Sequence, residues 1–394
     1  MTRQKEIATR IQDVLDRASL IRQMFEEGER LRRERGPDGV IDLSLGNPIV
    51  EPPQAFKDAL LSVASDPTPG QHRYMPNPGL PEAREAVARR YARSTGLDVT
   101  SDHVVLTVGA AGGLNIVLKA ILDPDDEVLI PVPYFVEYLF YVENHQGRVV
   151  LVPTTDRFDL NLEAIERSIT PKTRAILVNS PNNPTGVVYP KSTLERLAEI
   201  LTQASQRHGR PIYLLSDEPY RHIVVPGVEV PHIQTIYPQT IVATSHSKDL
   251  GLPGERIGQV ILGPGIEDPA TFVSALSFSM RALGFVNAPA LMQRVLARIG
   301  NASIDTTLYH TNRTLLVESL RTAGLELIEP QGAFYLFPKT PDPDDVAYCR
   351  RLARKGLLIV PGTGFGCPGY ARIAYCVPTE KIQKAADLLT QESS

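Results

Sequence analysis

Tryptophan is absent from the 394 residues, and cysteine occurs only as Cys349, Cys367 and Cys376. Three thiols leave one over in any disulfide scheme and none lies in a C-x-x-C spacing, so the chain is expected to carry reduced thiols and no zinc or dithiol redox centre. No apolar run approaches the roughly 18 residues a membrane helix needs. The opening MTRQKEIATRIQDVLDR also lacks the apolar core of a signal peptide, so the expected location is the cytoplasm, with no membrane partner. An excess of charge of either sign is missing too. The 41 basic and 45 acidic residues give a net charge of −4, which argues against nucleic acid and for small-molecule ligands. Proline, by contrast, is plentiful at 33 residues, mostly single or paired at the ends of apolar runs, which assigns it to ordered turns.

Seven short runs rich in β-branched residues punctuate the middle of the chain: VVLTVG (104–109), EVLIPV (127–132), RVVLVP (148–153), RAILVN (174–179), PIYLLS (211–216), TIVATS (240–245) and IGQVIL (257–262). Their apolar character is continuous rather than alternating, the pattern of strands covered on both faces in a mostly parallel α/β sheet flanked by helices. LNLEAIERSI (160–169) and TLERLAEILTQAS (193–205) have helical spacing between strands, with Asp159 or Ser192 available as N-cap. Over 10–35 an amphipathic helix is expected, with Ile21, Met24, Phe25, Gly28 and Leu31 on one face. Beyond about 285 come long helical stretches, the strand-like pieces LELIEPQG, AFYLFP and ARIAYCV, and a terminal helix from about 379, which together predict a smaller α+β domain. The expected division is a 1–45 arm and helix joining the small domain, a large domain over 46–290 and a small domain over 291–394.

Ligands of open α/β sheets bind beyond the carboxyl ends of the strands. After VVLTV comes Gly109-Ala110-Ala111-Gly112-Gly113, a small-residue turn opening a helix, whose N–H groups and dipole favour a phosphate. It matches neither the dinucleotide fingerprint nor a P-loop. SPNNPTG (180–186), DEPY (217–220) and SHSKDLGLPGERIG (245–258) follow three further strands. Taken singly, Asp217 reads as a turn aspartate and Lys248 as a solvated lysine. Together they set a carboxylate, a tyrosine, a lysine and an arginine at one sheet edge, where an amine among apolar strand ends can lose its proton and form a Schiff base. His222 and His246 lie nearby, but no His or Cys pair has ligand spacing and no metal is expected.

The N-P-T-G run, the D-x-x-Y run, S-x-S-K with an arginine eight residues on, and a late arginine occur in an order that resembles the pyridoxal-phosphate-dependent class I/II aminotransferases, the fold type I or aspartate aminotransferase superfamily, from about residue 40 onward. The resemblance implies pyridoxal 5′-phosphate as cofactor and ping-pong transfer of an amino group between an L-amino acid and a 2-oxo acid. It implies that Lys248 holds the cofactor as an internal aldimine and moves the proton. Asp217 would pair with the ring nitrogen, Asn183 and Tyr220 would meet the phenolate oxygen, and Ser245, Arg256 and the backbone of Ala110 and Ala111 would hold the phosphate. Phe135, in VPYFVEY, would stack on the ring in a place where many members carry Trp or Tyr. Tyr74, in RYMPNPG, would reach the phosphate of the neighbouring subunit in a homodimer. Gly46, Asn183 and Arg372 would contact substrate, Arg372 gripping the α-carboxylate, and Arg281, in SMRALGF, would read a side-chain carboxylate. GAAGG lacks the hydroxyl donors that many relatives have, so backbone N–H groups must do more of the phosphate binding. The 10–35 helix would act as a lid or pack on the small domain or partner. The same carbanion chemistry would also serve a β-lyase, decarboxylase or oxidase, whereas a non-catalytic regulator would need a basic recognition face that the first 40 residues lack.

Overall fold

The computed structural model describes residues 39–393, preceded by 7–9, 11, 12, 15, 30–34 and 36. Of the expected N-terminal helix, Ile21, Met24, Phe25 and Gly28 lie outside these residues, and Leu31 is buried. In chain order the strands are β1 (Ile41–Asp42), β2 (Val104–Thr107), β3 (Glu127–Val132), β4 (Arg148–Pro153), β5 (Thr173–Asn179), β6 (Tyr213–Asp217), β7 (Thr240–Ser245), β8 (Gly258–Leu262), β9 (Tyr335–Leu336), β10 (Leu357–Leu358), β11 (Val360–Pro361) and β12 (Ala371–Ala374). The chain divides into two units, one made of the chain up to Gly46 with Tyr309–Glu329 and Phe334–Ser394, the other of Asn47–Leu308 with Pro330–Ala333. The boundary thus falls at 308/309 rather than 290/291, and four residues of the later segment belong to the larger unit.

In the larger unit the seven apolar runs form one sheet in the order β2-β8-β7-β6-β5-β3-β4. β7, β6, β5, β3 and β4 pair in parallel, while β8 is antiparallel to both β2 and β7. The short His246–Ile257 connection explains the reversal, since it carries no crossover long enough to return the chain to the same edge. The strand period of two splits each central run between two cores. Val105, Ile241, Ala243, Val260 and Leu262 pack under the helices Gly109–Ile121 and Pro269–Ala282, whereas Val104, Leu106, Val242 and Ile261 meet Gln54–Ala64, Pro81–Thr95 and Ala290–Leu296. β4 departs from the expected two-sided burial: it is the edge strand, and Leu151 is exposed.

The expected caps also differ. Asn161, not Asp159, caps the Leu162–Ser168 helix by accepting from Ala164 N–H at 3.0 Å, and the helix Lys191–His208 starts earlier than read, after Pro190. Asp159 instead accepts from the Leu160 N–H and the Thr193 hydroxyl, tying the starts of both helices together.

The smaller unit holds the antiparallel sheet β11-β12-β9, the parallel pair β1-β10, and the helices Asp345–Arg354 and Thr379–Ser393. LELIEPQG forms no strand, and AFYLFP contributes only β9.

Candidate active site

Strand register aligns the candidate residues before any side chain is considered. Asn179 lies beside Asp217, Asp217 beside Ala243, and Ser245 and Thr107 both beside Gly258. The segments that follow β2, β5, β6 and β7 therefore emerge along one edge of the sheet, as open α/β folds require of a ligand site.

At one end stands the Gly109–Ile121 helix, whose first-turn N–H groups have no intrahelical acceptor. Gly109 has φ +71°, and a Cβ there would come within 2.8 Å of Arg256 Nη2, so the guanidinium rests against the backbone where the helix begins. Arg256 is itself in the left-handed region at φ 50°, and its Nη1 donates to the Pro253 carbonyl at 3.0 Å. A helix N-terminus and an exposed guanidinium at one point concentrate positive potential suited to a phosphate dianion. Ala110 and Ala111 lie in that first turn, and the buried Ser245 hydroxyl bonds to Ser247 Oγ at 3.2 Å.

The centre is Asp217, buried at the end of β6. Its Oδ2 accepts from the Tyr138 hydroxyl at 2.5 Å, while its Oδ1 is buried with no hydrogen-bond partner among the described residues. Burial pushes this carboxyl up to about 7, the Tyr138 bond opposes that rise, and the Glu218 charge adds to it. Leaving a buried acceptor unmatched costs about 1–3 kcal/mol, and the site fits a ligand that presents a charged N–H to Oδ1, as a protonated pyridine does. Burial, reinforced by Asp217, raises the Tyr138 phenol well above its ordinary range, which keeps it a donor. Phe135, half-buried, meets the Tyr138 ring edge-on at 5.5 Å and 81°. Asn179 links two loops: its Nδ2 donates to the Asp217 carbonyl at 2.8 Å and its Oδ1 accepts the Asn183 N–H at 2.7 Å. Asn183 and Tyr220 are both buried. Lys248 is half-buried in the four-residue helix His246–Asp249 that follows β7.

Tyr138 and Asn179 were not singled out in the sequence, although each closes a motif that was, VPYFVEY and RAILVN. Tyr74 is 92% exposed, and Arg281 is exposed on the last turn of Pro269–Ala282, so neither belongs to the buried cluster around Asp217. Among the described residues no group of three or more His, Cys, Asp or Glu side chains is placed to hold a metal.

In the smaller unit Arg372 is buried on β12 with its guanidinium 4.7 Å from the Tyr335 ring and 4.8 Å from the Phe365 ring. Nη2 donates to the Ser44 carbonyl at 2.6 Å. A Cβ on Gly46 would lie 1.8 Å from the Tyr335 hydroxyl oxygen, so only glycine fits beside that ring. Two aromatic faces and a carbonyl fix the plane of the guanidinium, the arrangement that favours a bidentate carboxylate.

The profile of the class I and II aminotransferases matches residues 38–389, and the chain belongs to that family. It is a pyridoxal-phosphate-dependent transaminase that moves an amino group between an amino acid and a 2-oxo acid. A probable aspartate/prephenate aminotransferase of Thermus aquaticus is 35% identical over 91% of this chain and 92% of its own length. An aminotransferase structure from Eubacterium rectale superposes with a TM-score of 0.94 at 36% identity, covering 99% of this chain and 98% of that one. The aspartate aminotransferase of Thermus thermophilus, solved with maleate, gives 0.85 at 32% identity over 99% and 100% of the two chains. No helix among the described residues is long and apolar enough to cross a membrane.

Proposed function

We propose that the residues along this sheet edge are the catalytic apparatus, that the amino donor is an acidic amino acid, and that the enzyme works as a cytoplasmic homodimer. The observation that carries the assignment is Asp217, with one buried oxygen held by Tyr138 and the other without a partner among the described residues. Pyridoxal 5′-phosphate, when bound, supplies the electron sink that acidifies the Cα–H bond of an amino acid. The Asp217 Oδ1 would accept the hydrogen bond of a ring N–H, and its negative charge would favour that proton. Lys248 Nζ would take the proton from the substrate Cα and deliver it to the cofactor carbon bonded to the substrate nitrogen, so that the amino group changes owner. Asn183 and Tyr220 would donate to a ring oxygen, and Phe135 would cover a ring face. Arg256, Ser245 and the N–H groups of Ala110 and Ala111 hold a phosphate, with Tyr74 donated by the second subunit. Arg372 and Gly46 take the substrate α-carboxylate. Arg281 is the candidate for the second carboxylate of an acidic donor, a substrate class supported by the names of the relatives and by the maleate in one of them. The three cysteines stand as thiols, Cys349 and Cys376 buried, which agrees with a reducing cytoplasm.

Borohydride reduction of the holoenzyme followed by peptide mapping should label Lys248, and Lys248→Ala should lose labelling and transamination together. Label on another lysine would overturn the assignment. In a donor panel, aspartate and glutamate should be the best substrates, and Arg281→Ala should raise their KM about ten-fold or more while leaving that of a neutral donor nearly unchanged. Equal effects on both would remove Arg281 from the site.

A further inference from the structure

Lys248 sits in a helix of four residues, too short for its own hydrogen-bond ladder to fix where its side chain points. The pins come from outside. The His246 N–H donates to the Ile257 carbonyl at 3.0 Å, the Leu252 N–H to the His246 carbonyl at 3.2 Å, and the Ile304 N–H to the Asp249 carbonyl at 2.9 Å. Across the same turn His246 Nδ1 faces Asp249 Oδ2 at 3.0 Å and Oδ1 at 3.2 Å, a side-chain bridge that spans Lys248. His246 Nε2 lies 3.3 Å from Arg90 Nη2 on the helix Pro81–Thr95. A guanidinium only donates, so Nε2 accepts and the ring proton is on Nδ1, facing the carboxylate. Burial works against an ionised Asp249, but His246, then His222 and Arg90, outweigh it and hold the carboxyl below its ordinary range. His246 and Asp249 are both buried.

We propose that Arg90, His246 and Asp249 are positioning residues that lock the backbone carrying Lys248, so that its amine meets the reacting carbon in one geometry. This rests on the reading of Lys248 as the proton-transfer lysine. A misplacement of about 1 Å costs on the order of a hundred-fold in rate, so a device that removes one degree of freedom from a four-residue helix has a kinetic role beyond packing. Arg90 also borders a cavity of about 300 Å³ with Tyr91, Glu218, His222 and Asp249, so truncating it enlarges existing space rather than hollowing a filled core.

The test uses the holoenzyme of Arg90→Met, His246→Leu and His246→Asn, the last retaining a donor toward Asp249. Measured are the rate constant of the first half-reaction, the KM for the amino donor, the visible circular dichroism per bound cofactor, and Tm. Arg90→Met and His246→Leu should lower the rate constant about ten-fold or more with KM within about two-fold, and should weaken the dichroism. His246→Asn should recover most of both. Unchanged rate and dichroism in Arg90→Met and His246→Leu would overturn the proposal whatever the Tm, as would rate losses that vanish when divided by cofactor content. Arg90→Met decides the matter where His246→Leu does not fold. The reading of Lys248 itself fails separately, by the borohydride label appearing elsewhere.

Discussion

Asp217 ends β6 and Asp249 ends the short helix after β7, both buried at the same sheet edge, yet their surroundings move their acidity in opposite directions. Asp249 has both oxygens facing His246, with Arg90 behind, and is kept ionised by its own chain. Asp217 has one oxygen matched and one without a partner among the described residues, and burial raises it to about 7. The contrast separates a carboxylate that serves the fold from one that waits for a cation. Burial alone does not distinguish them; the second oxygen does.

The sharpest way to break the comparison is Asp217→Asn, which removes the negative charge proposed to face the ring nitrogen. The rate constant of the first half-reaction should fall by about 10³-fold, roughly 4 kcal/mol, in stopped-flow measurements with cofactor still bound. Asp249→Ala should lower the same rate constant only about ten-fold, as its positioning role requires, and should in addition cost about 3–5 kcal/mol in urea unfolding because His246 and Arg90 are left without their anion.

The two carboxyls also predict opposite slopes with pH in cofactor-free protein. Between about pH 4 and 7 the unfolded chain has released the Asp217 proton that the folded chain retains, so this group lowers stability as pH rises through that window. Asp249, held low, contributes stability above the ordinary carboxyl range that is lost as pH falls through its folded value. Cofactor-free Asp217→Asn should therefore be more stable than the parent at pH 8, by at most about 2–4 kcal/mol, with the gap closing near pH 4. A constant gap across that range would refute the assignment. Tyr138→Phe is the mildest test, expected to lower the same rate constant about ten-fold by freeing Oδ2 from its donor.

The residues proposed for the chemistry were the most legible, because Asp217 and Lys248 come within three residues after apolar runs and Arg256 immediately precedes one, all with plain β character in the sequence. Their supports were not. Tyr138 is 79 positions from Asp217 and Arg90 is 156 from His246, separations that only the folded sheet closes. The reversal of β8 was hidden because a strand covered on both faces reads alike in either direction. Burial of β4 was overestimated because an edge strand here keeps the apolar composition of its neighbours. Asn161 replaces the expected Asp159 as cap because the Thr193 hydroxyl and the Leu160 N–H occupy Asp159, and the Thr193 contact joins segments 34 positions apart.

Phe135, edge-on to Tyr138 in a chain without tryptophan, makes the enzyme an unusually clean optical instrument. Its intrinsic emission comes from tyrosine alone, so Phe135→Trp would introduce a lone indole beside Tyr138. Its quenching would time cofactor arrival and departure directly, against a background free of any other indole.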